Sequence, residues 1–332
     1  MLSYILRRLI YMVVILLLAS VVAFIIIQLP PGDYLTTYIT KLAQSGMEID
    51  NTKIASLKIQ YGLDQPIYAQ YFKWMWKILH GDFGMSFEWR RPVNELLVER
   101  VPLTVMISLL SMVFVYIVGV FIGIYSATRQ YSIADYAFTI VGFAGLAIPN
   151  FLFALVLMLF FYKTFGFTIG GLFSIEYIRA AWSWAKFVDM VNHLWIPIIV
   201  VGTAGTAGLI RVMRGCLLDE LRKQYVITAR AKGAAERDLL FKYPVRVAIN
   251  PVISTIGWML PAIFSGEIIT SIVLNLPTTG PLLFGALRSQ DMFLAGSIVM
   301  ILTFLTVIGT LVSDILLVWI DPRIRYERRG EF

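Results

Sequence analysis

Side chains able to do chemistry are scarce in this sequence, and they gather in one place. The stretch TARAKGAAERD, residues 228–238, holds five charges in eleven residues. It sits in a long basic loop between apolar runs. Ala229, Ala231, Ala234 and Ala235 favour helix and leave room for a close neighbour. Gly233 permits a turn between two short helices. Arg230, Lys232, Glu236, Arg237 and Asp238 carry charges of both signs, which can fix the register of a partner surface. This is a docking chemistry.

Bond-making groups are thin elsewhere. The two histidines, His80 and His193, lie far apart, so neither a metal centre nor an intramembrane protease constellation is supported. One cysteine, Cys216, excludes an intrachain disulfide. No G-x-x-x-x-G-K-[S/T] occurs, and the dipeptide GK is absent, so the chain lacks a phosphate cradle of its own. Any use of ATP would need another polypeptide.

Ionisable groups inside apolar runs are equally few. Glu267 lies 17 residues beyond Asn250, roughly 25 Å along a helix, and reads as a solute-facing or gating group or as a snorkelling interfacial one. Trp258 and Ser271 share that run as further pathway or gate candidates. Asp314 is expected about 10 Å from the cytoplasmic end of the last run, paired with Arg211 or Arg214. Gly202, Gly205 and Gly208 recur every three residues, as a face for close helix packing or as a flexible gate.

Those groups need elements to hold them, and composition says which. The chain has 332 residues, 58% hydrophobic and 15% charged, with several apolar runs longer than the roughly 18 residues that mark a bilayer span. The alternating ten-residue segments of an outer-membrane barrel are missing. An all-α polytopic membrane protein is expected, with six transmembrane helices at 9–29, 103–127, 138–162, 194–213, 251–273 and 293–320. The first, 21 residues after Arg7 and Arg8, is about 31 Å long with no small-residue cleavage site, and reads as a retained span.

Charge sets the orientation. The loop 211–249 carries nine basic residues against four acids, whereas 30–101 carries eight of each. The positive-inside rule therefore puts that loop and both termini in the cytoplasm, which an even number of spans allows. The same bias accounts for the net charge of +7, so no nucleic acid partner is expected. The expected organisation is 1–29, the N-terminal segment and first span; 30–101, an extracytoplasmic excursion; 102–320, a core of five spans with the 211–249 loop; and 321–332, a cytoplasmic tail. Within the excursion, Tyr71, Phe72, Trp74 and Trp76 suit a helix lying on the outer headgroup layer, or a mouth that stacks on a solute. Trp182 and Trp184 repeat the pattern in 163–193. The loop itself reads as helix, break at Gly233, a short helix beginning at Ala234, and a lead into the fifth span at Pro251.

The loop resembles the "EAA" loop of permease subunits in binding-protein-dependent ABC importers. Its ARAKG, Ala229 to Gly233, is similar to the dipeptide/oligopeptide branch, B-type subunit, and Gly233 stands 18 residues before Pro251 as in the family pattern. LRRL at 6–9, LPPGD at 29–33, GDFGMSFEWRRPVNELLVERVPLT at 81–104, LPTTGPLLFGALRSQD at 276–291 and DPRIRY at 321–326 resemble other stretches of that branch. Two positions of the loop depart: the motif's glutamate falls on Ile227 and a proline on Arg246. A third departure is Ser271, where the branch usually has a glutamate six residues before a PGLG that here reads PTTG.

The resemblance implies a type I ABC importer permease fold in a prokaryotic inner or plasma membrane. It implies that 228–240 docks on an ATPase subunit, with ATP and Mg bound by the two ATPase subunits and no cofactor in this chain. It implies a homologous second permease and an extracytoplasmic solute-binding protein as partners. The solute class is oligopeptide, with oligosaccharide as the alternative. A secondary transporter or channel would favour inverted repeats and more mid-membrane ionisable groups than are present.

Overall fold

The computed structural model of the protein describes residues 2–28, 65–166, 169–178 and 180–320; the side chains of 2–5, 27, 258, 260–267 and 317–320 are outside that description. The first part of the expected excursion, 30–64, and the tail, 321–332, also lie outside it. Every regular element among the described residues is a helix. In order the α-helices are α1 (Leu2–Gln28), α2 (Ile67–Leu79), α3 (Val93–Thr128), α4 (Ile133–Ala147), α5 (Asn150–Phe165), α6 (Trp184–Leu221), α7 (Gln224–Ala231), α8 (Glu236–Lys242), α9 (Pro244–Ser254), α10 (Ile256–Val273), α11 (Thr279–Arg288) and α12 (Met292–Ile320), with one 3-10 turn, Ile175–Tyr177, between α5 and α6. By contacts the chain divides into two compact units, Met1–Thr104 with Pro277–Val307 and Val105–Leu276 with Ile308–Phe332.

Four of these helices, α1, α3, α6 and α12, contain windows long and apolar enough to cross a bilayer. They match four of the expected spans. The expected span 138–162 is not one straight helix. The chain bends by 107° between α4 and α5. The cause is local: Ile148 precedes Pro149, and the residue before a proline is pushed out of the α region, here to φ −91° and ψ 121°. The expected span 251–273 falls on α9 and α10, which part at Thr255. Pro251 does not lead into this span as expected. It lies inside α9, and Pro244 occupies the first turn, where a missing N–H costs nothing.

In the first unit, α2 lies against α1. Ser20 Oγ donates to the Leu17 carbonyl at 2.7 Å, so the Tyr71 hydroxyl, 2.8 Å away, donates to Ser20. Phe24 packs between the rings of Tyr71 and Trp74. Trp74 is buried against Gly296, where a Cβ would stand 2.7 Å from the indole. The expected aromatic row therefore splits: Tyr71 and Trp74 turn inward, while Phe72 and Trp76 stay exposed. The arch before α3 is tied to α12 by Asp291, which is fully buried. Its Oδ2 accepts from Ser86 Oγ at 2.6 Å and Glu88 N at 3.1 Å, and its Oδ1 accepts from Leu294 N at 3.2 Å. Burial pushes this carboxyl above the ordinary range even with these donors.

In the second unit, α6 is the packed axis. Val115 of α3, Leu209, Met213 and Leu217 of α6, and Val245, Ala248 and Val252 of α9 share one apolar cluster. Glycines set the spacing. A Cβ on Gly119 would lie 2.9 Å from Leu209 Cβ, and one on Gly123 would lie 2.6 Å from Met213 Cβ. On α6 itself, a Cβ on Gly202 would lie 2.7 Å from the Phe114 ring, and one on Gly205 would lie 3.3 Å from Val115 Cγ2. Gly208 has nothing within 4 Å, so it does not share that face.

Polar ties complete the unit. Tyr116 bonds Thr255 Oγ1 at 2.6 Å, beside the break between α9 and α10. Arg214 Nη2 meets Asp135 Oδ2 at 3.1 Å, and Tyr131 N donates to the same oxygen at 3.0 Å. Arg214, one of the two arginines expected to serve Asp314, thus meets Asp135.

Gly123→Ala and Gly202→Ala should each overpack the α3–α6 contact and cost about 1–3 kcal/mol. Gly208→Ala should be tolerated. Thermal unfolding in detergent checks both, and equal effects at all three sites would contradict the packing described.

Candidate functional site

The candidate site begins where α6 ends. Lys223 separates α6 and its cap, Arg222, from the start of α7. The turn after α7 has a full set of backbone bonds. Gly233 N donates to the Arg230 carbonyl at 3.0 Å, and Ala234 N donates to the Ala229 carbonyl at 3.3 Å. These are the two bonds of a Schellman motif, which puts its αL residue directly after the C-cap. That residue is Gly233, with φ +82°. Open space surrounds the position, so the need for glycine comes from the backbone alone.

Helix resumes at Glu236 with Ala235 as its N-cap, so Ala234 and Ala235 belong to the turn and do not start the short helix as expected. A helix of seven residues has little stability alone. Each half of the segment therefore sends one apolar side chain inward, Val226 from α7 and Leu239 from α8, both buried. Their neighbours stay outside. Tyr225, Ile227 and Phe241 are exposed, Phe241 by 51%. Lys232, Arg237 and Asp238 are exposed as well, and Ala229 and Ala234 are half-buried.

An exposed ion pair spans the glycine. Arg230 Nε and Nη2 approach the Glu236 carboxylate at 2.6 and 3.1 Å. The hydrogen bond from Arg230 holds the Glu236 carboxyl below its usual range. Glu236 in turn raises the arginine. The Tyr225 hydroxyl donates to Glu220 at the end of α6, and burial together with that carboxylate pushes it up to about 12. It stays protonated at any physiological pH. Residues 224–242 hold four basic and two acidic side chains, a net +2. The arrangement is a charged, partly apolar knob at the end of a long helix.

The ten residues 229–238 are thus brought into one compact feature. The pathway candidates are more scattered. Ser271 is fully buried on α10, and its hydroxyl has no partner among the described residues. Trp258 and Glu267 lie on the same helix, with side chains outside the described set.

Sequence reading missed two groups. Asp135 is one, although Ser132 three residues earlier signals a capping box, and Ser132 Oγ does accept from Asp135 N at 3.2 Å. The pair Gly119 and Gly123 is the other, a G-x-x-x-G spacing within an apolar run.

Comparison with known proteins places this geometry. Residues 119–326 match the family described as binding-protein-dependent transport system inner membrane component, and residues 1–109 match its N-terminal family. The chain is similar to the oligopeptide transport system permease protein AppB of Bacillus subtilis, 36% identical over 329 residues that cover 98% of this chain and all of that one. It is 30% identical to the glutathione transport system permease protein GsiC of Salmonella paratyphi A, covering 98% of this chain and all of the relative. It is 28% identical to the peptidoglycan transport system permease protein YejB of Agrobacterium fabrum, covering 98% and 99%.

Gly233→Ala should strain the Schellman turn by about 1–3 kcal/mol, while Gly233→Asn, which tolerates αL better, should cost less. Hydrogen exchange across 228–238 should be faster in the alanine variant than in the asparagine one. Equal protection in both would count against a backbone-determined turn.

Proposed function

The chain belongs to the family of binding-protein-dependent transport system inner membrane components and is a multi-pass protein of the cell inner membrane; from that premise we propose that it forms half of the translocation pathway of an ATP-driven peptide importer. The observation that carries this reading is the knob at 224–242. It is anchored by Val226 and Leu239 and otherwise presents Ile227, Phe241 and mixed charge to a partner. A solvated linker has no use for a fixed Schellman turn or for exposed aromatic surface.

In this proposal six spans cross the membrane and both termini face the cytoplasm. The knob docks on one of two ATPase subunits, which bind ATP and Mg. A homologous permease supplies the other half of the pathway, and an extracytoplasmic binding protein delivers the solute. Closure of the ATPases around nucleotide moves the knob. Because α7 follows α6 with so short a break, that displacement passes into the packed axis of the second unit.

Oligopeptide is the solute class supported by the names of the relatives. A second reading, an oligosaccharide-bearing solute, is favoured by the relative named for peptidoglycan transport and by exposed Trp182 and Trp184 in the second excursion. Sugar rings stack on such surfaces. Identifying the ligand that copurifies with the cognate binding protein decides between them.

Ala234→Glu in the coexpressed complex should reduce uptake by more than about tenfold while leaving membrane insertion unchanged, because it places a charge in the docking surface. Uptake assays paired with ATPase copurification test this. Normal uptake in the variant would remove the knob from the mechanism, and ion-gradient-driven uptake by this chain alone would point to a secondary transporter or channel.

A further inference from the structure

The first unit contains a cleft of about 600 Å³ whose lining includes Lys73, Trp74, Lys77, His80, Asn94 and Phe293. We propose that it binds the headgroup of an anionic phospholipid, with the phosphate held by Lys73 and Lys77. The proposal needs only that the chain sits in a membrane, and stands whether or not the transport reading does.

Helix α2 has three faces with three chemistries. Tyr71 and Trp74 turn toward α1, which they meet at Ser20 and Phe24, near the end of its 21-residue apolar window. Gln70 lies 3.4 Å from Gln28, the last residue of α1. Hydrocarbon must give way to headgroups at about that level, so α2 lies at headgroup depth. On the second face, Tyr68, Phe72, Trp76 and Leu79 recur at steps of four, four and three residues, and each is more than 65% exposed. An aromatic-rich apolar stripe at that depth suits the boundary between headgroups and acyl chains. Lys73 and Lys77 follow Phe72 and Trp76 by one position and form the third face, a turn apart on the cleft side.

The charge balance of the cleft favours an anion. Among the described lining residues Asp82 is the one carboxylate, and it sits 3.7 Å from Lys77. Among the described residues Lys73 has no ion-pair partner. His80 is fixed in place: its Nδ1 donates to the Trp76 carbonyl at 2.8 Å, and its ring lies 4.4 Å from the Trp76 ring. The apolar stripe beside the lysines is what distinguishes a lipid from a free anion. A free phosphate gains nothing from Phe72 or Trp76, whereas a phospholipid buries acyl surface there while its phosphate meets the ammonium groups.

The test is retention of lipid by the purified full-length protein in its complex, read by native mass spectrometry with phosphatidylglycerol or phosphatidylcholine added. Phosphatidylglycerol should be retained preferentially. K73Q/K77Q should lose that preference by about fivefold per lysine, and K73R/K77R should keep it. K163Q, at an exposed lysine outside the cleft, should behave as wild type. The proposal is overturned by equal retention of the two lipids, or by unchanged preference in K73Q/K77Q. It is also overturned if inorganic phosphate displaces the lipid, which would mark a free-anion site, or if the added binding protein displaces it by covering the lysines. Should K73Q/K77Q fold poorly, the arginine pair decides, because its failure to retain phosphatidylglycerol refutes the site by itself.

Discussion

Helices in lipid gain little from hiding apolar side chains against one another, because the surrounding acyl chains are equally apolar. What they gain comes from close contact of backbones and side chains. The second unit depends on that constraint. Gly119 and Gly123 admit Leu209 and Met213 to distances that any Cβ would forbid, and Gly202 admits the ring of Phe114. Gly145 does the same for Thr203, whose Cγ2 would lie 2.8 Å from an added Cβ. With small residues on three helices, α6 is gripped along much of its length.

Polar ties in such a setting have defined places. Tyr116 and Thr255 meet beside the discontinuity between α9 and α10, where helix hydrogen bonding is interrupted and a hydroxyl can meet a backbone carbonyl. Asp135 and Arg214 join the start of α4 to α6, with the carboxylate 4% exposed and the guanidinium 31%. A pair that is half wet at one end avoids most of the desolvation penalty of a fully buried one. In the first unit Asp291 collects donors from the arch at 86–88 and from the first turn of α12, so one carboxylate both caps a helix and fastens a loop.

Much of this was readable in advance, and the failures have physical causes. Hydropathy finds α1, α3, α6 and α12 because each is a long apolar run. It cannot find the 107° bend before α5, since Ile148 and Pro149 are themselves apolar; proline stereochemistry held that signal. Composition alone makes the aromatic row 71–76 one surface, yet Tyr71 and Trp74 are three apart and share a helical face, while Phe72 and Trp76 are four apart and share another. Periodicity would have separated them. The Gly233 turn was legible because αL geometry leaves glycine as the natural residue. The register of the following helix was not: nothing local distinguishes Ala234, Ala235 and Glu236 as starting points, and Pro244 mattered more than Pro251. That Arg214 meets Asp135 depended on which helices lie together, and that is tertiary information.

The knob's geometry then bears on how it could transmit motion. Arg230 and Glu236 are both largely exposed, and an exposed pair is worth little by itself. The turn between α7 and α8 must therefore get its rigidity elsewhere. Two backbone bonds close the Schellman motif, and Val226 and Leu239 fix each half against the interior. The salt bridge only trims the residual freedom. Under the proposed docking, a partner pressing on Ile227 or Phe241 meets a body held at both halves. The chain offers no long flexible segment between that body and α6 in which the displacement could be lost. The same glycine contacts that allow α6 to pack closely make it hard to deform locally, because an ångström of bending would drive Leu209 or Met213 into backbone. Under the proposed coupling, the least costly response of the axis is to shift as a rod, which is the response an alternating pathway requires.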